Sequence, residues 1–247
     1  MSHSSTKQRI ESRQSQRRQA QTRLIIGVVV GALVLTGLLI LVSIPRGSAD
    51  VVVADYSGLS QAIDNSGAIG FAIGEETAPI TLVEYSDFSC PHCHDLAGAI
   101  ERLIQKYGRD GSLRVVFKPV SFVSPPYSFP AAQAAVCAGE QGKFWEMHDQ
   151  LWSLYESKSS IGYTRPNLVD SAAAIGLDQD QFEACYSSED TLAEVQGVLD
   201  EVEALGIQGT PALYVNGQPI GFLGPEAFYE QMAQVIEAQV GSQDTTP

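Results

Sequence analysis

Ile80-Thr81-Leu82-Val83-Glu84-Tyr85 runs through Ser86-Asp87-Phe88-Ser89 into Cys90-Pro91-His92-Cys93-His94-Asp95-Leu96, and the rest of the chain is read outward from this stretch. The first six residues form a largely apolar run that reads as a strand. Beyond the cysteines, Leu96, Ile100, Leu103 and Ile104 recur at helical spacing. Strand, Cys-x-x-Cys, then helix is the local arrangement of a dithiol redox site. The same letters spell Cys-x-x-Cys-His, a covalent haem attachment motif using Cys90, Cys93 and His94, with Met147 or Met232 as distal ligand. Cys90, His92, Cys93 and His94 are also the donor types of a zinc or copper site. Spacing alone does not choose among the three.

The flanking pattern favours the redox reading. Gly108 to Gly111 breaks the motif helix, and Leu113–Val120 reads as a second, internal strand. Ser124-Pro125-Pro126 closes that unit. From Pro130 to Tyr155 the pattern is helical, with Phe144, His148, Leu151 and Tyr155 on one face. Further helices are expected at Leu168–Ala174, Gln179–Tyr186 and Asp190–Leu205, with Asp178 and Ser188 as N-caps of the last two. Pro211–Val215 restores strand character, Asn216-Gly217 signals a hairpin, and Gln218–Phe222 returns. A final helix, Pro225–Val240, presents Phe228, Met232 and Val235. The order is β, α, β, several helices, β, β, α.

Upstream, Gly74–Pro79 reads as a turn into the motif strand, with a short strand near Gly70–Ile73. Residues 45–69 read as a linker. Leu24 to Ile44 is 21 residues without a charge. Such a helix spans roughly 31 Å, matching a hydrocarbon core of about 30 Å. Lys7, Arg9, Arg13, Arg17, Arg18 and Arg23 precede it, and only Arg46 closely follows. The positive-inside rule then predicts a cytoplasmic tail, 1–23, one transmembrane helix, 24–44, and everything beyond outside the cytoplasm of a bacterial cell. A cleaved signal peptide ending near Gly47-Ser48-Ala49 is the alternative, although apolar regions of signals are usually about 7–15 residues. Residues 47–247 hold 8 basic against 28 acidic residues. That balance repels phosphate backbones and argues against a nucleic-acid partner.

The chain resembles exported disulfide oxidoreductases of the DsbA type, in membrane-anchored form, over roughly residues 70–240. The resemblance rests on Pro79–Phe88 leading into Cys90-Pro91-His92-Cys93. It rests also on Gly142-Lys143-Phe144-Trp145 with His148-Asp149, and on Gly209-Thr210-Pro211 before the hairpin. It implies an α/β, thioredoxin-like fold over 70–245 with a helical domain inserted at about 125–205. It implies no cofactor and no metal, reduced exported proteins as substrates, and a quinone-linked membrane partner that reoxidises the pair. Glu84 matches the family's buried acid, which moves protons to and from the buried cysteine. Thr210-Pro211 matches a cis-proline loop that lies against the motif and pairs with the substrate backbone.

The chemistry follows from the residue types. A thiolate attacks and leaves in disulfide exchange, and an ordinary cysteine with a pKa of about 8.5 is mostly protonated at neutral pH. A helix N-terminus favours the anion, Pro91 wastes no N–H there, and His92 can place a donor beside the Cys90 sulfur. Cys90 is therefore read as the exposed, attacked sulfur and Cys93, one turn in, as the buried leaving thiol. A purely structural Cys90–Cys93 bridge would constrain little, because its loop is so short. A reductase or isomerase is the alternative of the same fold. Isomerases of this kind commonly carry a dimerisation domain, for which residues 45–78 are too short. Cys137 and Cys185, in an oxidising compartment, are expected to form a structural disulfide; two buried free thiols are the alternative. His94 and His148 read as surface or packing residues.

Overall fold

The computed structural model describes Gly27 and residues 60–65 and 68–243. Its elements run β1 (Ser60–Asn65), β2 (Ala68–Ile73), β3 (Ile80–Asp87), α1 (Pro91–Leu103) with a π-helical turn (Ile104–Gly108), and β4 (Leu113–Val120). Then come α2 (Pro125–Glu140), α3 (Phe144–Lys158), a 3-10 turn (Ser160–Gly162), α4 (Arg165–Ala174), α5 (Gln179–Tyr186) and α6 (Glu189–Ala204). β5 (Ala212–Val215), β6 (Gln218–Ile220) and α7 (Pro225–Gln243) complete the chain order. Contacts divide the chain into two units, residues 1–50 and 51–247. The expected tail, 1–23, and membrane helix, 24–44, lie outside the described residues apart from Gly27. Among the described residues no helix is long and apolar enough to cross a membrane.

One sheet carries the strands in the order β1-β2-β4-β3-β5-β6. β3 and β4 are parallel, joined by α1, while the remaining pairs are antiparallel. β3 is thus flanked on both sides, with Glu84 beside Phe117 of β4 and Leu213 of β5. Alternation along β3 sends Leu82 and Glu84 to one face and Val83 and Tyr85 to the other. The first face packs on α1, the inserted helices and α7 through Leu96, Ile100, Phe117, Phe144, Phe228 and Met232, all buried. On the second face Tyr85 and Val120 meet Val198 and Val202 of α6.

Three expectations are corrected. The linker read at 45–69 contains β1, so the sheet begins ten residues upstream of the expected domain start at 70. β1 pairs along its whole length with β2, the next strand in the chain, a pairing that its mixed composition does not announce. The helical stretch 130–155 is two helices, and the first starts at Pro125, whose missing N–H suits a first turn. The break falls at Gly142, whose φ of +72° is left-handed backbone that terminates a helix at little cost to glycine. On α7, Ile236 rather than Val235 continues the buried face after Met232.

The inserted helices share the core of the sheet. Phe71 of β2 stacks on Phe144 with ring centroids 4.0 Å apart, and the Trp145 indole donates to the Ala72 carbonyl at 3.3 Å. At Gly139 of α2 even a methyl group would meet the Phe71 ring at 2.0 Å, so this helix rests directly on β2. Asp178 and Ser188 cap as expected, accepting from the Gln181 and Asp190 amides at 3.0 Å each.

Candidate active site

β3 ends at Asp87 and α1 begins at Pro91, so Cys90 occupies the N-cap between them with extended backbone. Its amide donates to the Asp87 carbonyl at 2.9 Å, and its carbonyl accepts from His94 N–H at 3.1 Å, the first bond of the helix. The turn is clamped from two sides. Asp87 Oδ1 accepts from the Ser89 amide and Oδ2 from the Val123 amide, each at 2.8 Å. The Tyr163 hydroxyl, from the insertion, bridges the Phe88 and Leu151 carbonyls at 2.9 and 3.0 Å. Asp87 could have been anticipated, since Asp followed two residues later by a free amide is an Asx-turn signal. Tyr163 lies 70 residues beyond Cys93 and carries no such local signal.

Both sulfurs carry free thiols and neither is exposed in the ordinary sense: Cys90 keeps 4 % of its accessible surface and Cys93 none. The expected exposed sulfur is therefore only the less covered of two. Cys90 Sγ lies 3.3 Å from the Thr210 carbonyl, which accepts from the thiol. The Thr210-Pro211 peptide bond is cis, and the Cys90–Thr210 contact places this loop against the motif. The Thr210 hydroxyl is buried beside the two sulfurs.

The two sulfurs are driven apart electrostatically. The Cys93 thiol beside it, then the Thr210 side chain and the backbone N–H groups of Cys93 and His92, lower Cys90 to about 5 against the opposing effect of burial. Burial, the Cys90 sulfur and the Glu84 charge push Cys93 strongly upward. His92 contributes its backbone amide, not the ring that the sequence suggested. Its side chain is 71 % exposed and stands 4.0 Å from Asp95.

Glu84 is 2 % exposed beneath the pair. Burial pushes its carboxyl up to about 7, with the Ser86 hydroxyl offsetting part of the shift. The group binds its proton more tightly folded than unfolded, so its contribution to stability is complete below about 4.5 and is lost as pH rises through about 7. A shift from 4.5 to about 7 corresponds to roughly 3 kcal/mol across that window. We expect Glu84→Gln to flatten the fall in unfolding free energy between pH 5 and 8, measured by denaturant titration. A parallel fall in both proteins would show that Glu84 does not hold the proton.

The rival ligand sets do not assemble. Cys93 has no surface for a macrocycle, and the His94 ring packs on Trp152 and Tyr155 and meets Glu156 at 3.3 Å. Met147 and Met232 are core residues. Among the described residues no three His, Cys, Asp or Glu side chains gather as a metal site. Elsewhere, Cys137 of α2 and Cys185 of α5 are joined as a disulfide.

A family model described as Thioredoxin matches residues 68–238. The chain belongs to the thioredoxin family. Solved structures place this thioredoxin-family chain with the DsbA-like folds. BdbD from Bacillus subtilis superposes with a TM-score of 0.62 at 24 % identity, covering 74 % of this chain and 98 % of that one. The thiol-disulfide exchange protein α-DsbA2 from Wolbachia pipientis gives 0.57 at 20 % identity, over 68 % of this chain and 85 % of that one. Among curated proteins, the Na(+)/H(+) antiporter NhaA 3 of Salinispora tropica is 35 % identical over 148 residues, 59 % of this chain. That stretch is 21 % of the antiporter, so the chain spans about a fifth of the curated relatives that it matches.

Proposed function

We propose that the protein is an extracytoplasmic thiol:disulfide oxidoreductase that introduces disulfides into exported proteins. The observation that carries the reading is the opposed environment of the two sulfurs: at a helix N-terminus Cys90 is lowered to about 5, while Cys93, buried near Glu84, is pushed upward. Stabilising the thiolate stabilises the reduced pair, which makes its disulfide the stronger oxidant.

In the oxidised enzyme a substrate thiolate attacks Cys90 Sγ. The substrate–Cys90 bond forms as the Cys90–Cys93 bond breaks, and Cys93 leaves with the electron pair, taking a proton from Glu84. A second substrate thiolate then attacks the substrate sulfur of the mixed disulfide. The substrate leaves with its disulfide, and Cys90 leaves as the thiolate that its surroundings favour. Two electrons have passed to the pair, and a quinone-linked membrane partner takes them on. Pro91 starts the helix that favours that thiolate, and Thr210-Pro211 offers the backbone beside Cys90 to the substrate chain. The uncharged stretch 24–44 behind a basic tail supports a single-pass anchor with this domain outside the cytoplasm. Shared sequence over a fifth of the antiporters carries no transport activity to this chain.

Equilibration with glutathione, together with titration of the Cys90 thiolate absorbance, tests the direction. An oxidase should show a Cys90 pKa well below the ordinary thiol value and a potential above about −200 mV. A value near that of a reducing thioredoxin, about −270 mV, would instead make the protein a reductase.

A further inference from the structure

His148 of α3 lies next to the redox site without touching either sulfur in the reaction above. It is 5 % exposed, its ring among those of Phe88, Phe117, Trp145 and Trp152. Both ring nitrogens are engaged. The Trp152 indole nitrogen is 2.9 Å from Nε2, and Asp149 Oδ1 is 3.0 Å from Nδ1. An indole N–H can only donate, so Nε2 must accept and the imidazole proton sits on Nδ1, donated to Asp149. A second proton on His148 would set two N–H groups against each other across 2.9 Å.

The charges around this ring all pull the other way. Asp149 is on its own helix; Glu84 of β3 sits beside Phe117, whose ring lies 5.2 Å from that of His148, and Glu101 of α1 interacts with the imidazole through its charge, with Cys90 in turn acting on Glu84. The Asp149 and Glu101 carboxylates favour the imidazolium, and Glu84 would add to them once ionised. The indole N–H is the group that opposes it. A cation at His148 would favour ionised Glu84, and an ionised Glu84 has no proton to hand to the departing Cys93 sulfur.

We propose that Trp152 is a positioning residue whose indole N–H holds His148 as the neutral Nδ1–H tautomer, so that Glu84 faces no cation and retains its exchangeable proton. The last link rests on the function proposed above; the first two do not. Trp152→Phe keeps a ring against Phe88 and His94 while removing the donor.

The test is read by NMR on the full chain. The ¹⁵N shifts of wild-type His148 at pH 7 should report a protonated Nδ1 and a bare Nε2. In Trp152→Phe the ring should acquire a second proton on acidification, and the Glu84 carboxyl ¹³C titration should move down by about one pH unit. Adding His148→Gln to Trp152→Phe should cancel that shift, whereas a mere packing disturbance would persist. An Nε2–H tautomer or an imidazolium in the wild type overturns the proposal, as does an unmoved Glu84 in folded Trp152→Phe. Should Trp152→Phe fail to fold, the wild-type spectrum still decides. Because these signals need no turnover, a protein that exchanges no thiols would sink the oxidoreductase reading and leave this one standing or falling on its own.

Discussion

Cys93→Ala should convert the protein from a catalyst into a trap. Cys90 retains its helix N-terminus and the His92 amide, so it still reacts with an oxidised partner such as glutathione disulfide. The mixed disulfide then has no neighbouring thiol to release it and accumulates as a stoichiometric adduct, visible by mass spectrometry under non-reducing conditions. Disulfide transfer should fall by on the order of 10³-fold or more, because the two sulfurs act as one unit. A second consequence is electrostatic. The Cys93 thiol is the largest influence lowering Cys90, so its loss should raise the Cys90 pKa from about 5 toward the ordinary thiol range. Cys90→Ala should abolish both transfer and adduct. A Cys93→Ala protein that turns over, or a Cys90→Ala protein that still forms the adduct, would reverse the assigned roles.

Loss of the Cys137–Cys185 bridge should be the largest effect on stability. Its ends are 48 residues apart and enclose α4 as well as α3, the helix that carries Trp145, His148 and Trp152. Closing a loop of that length restricts the unfolded chain by about 4 kcal/mol in the chain-entropy model, an upper figure. Both sulfurs are buried in the shared core, and the Thr191 hydroxyl donates to the Cys185 carbonyl at 2.8 Å, so the surroundings are built for the bridge. The Cys137→Ala, Cys185→Ala double variant should show a lower denaturant midpoint with little change in slope. A loss under about 1 kcal/mol would mean that the unbridged chain is already constrained there.

Several elements were legible because their causes are local. Ile80–Tyr85, Pro91 at a helix start, the Asn216-Gly217 hairpin and the Asp178 and Ser188 caps each depend on residues within a few positions. β1 was not, because a strand of mixed composition acquires its identity from the β2 backbone it pairs with. The break at Gly142 was missed because apolar spacing on either side continued the helical period across it.

At the opening motif the division is clear. Sequence alone determined that two thiols sit at the junction of a strand and a helix, with a carboxylate six residues upstream, since all of these lie on one short stretch of backbone. Only the tertiary structure decided what each group does there. It turned the His92 ring to solvent and left its amide to the sulfur, and covered Cys90 with the Thr210 loop. It also buried Glu84 beneath Cys93 and closed Phe88 and Phe117 around the His148 ring. The reason is physical: burial and hydrogen-bond direction set the charge states of thiol, carboxyl and imidazole, and the covering groups include segments far along the chain, such as the Thr210 loop 120 residues from Cys90.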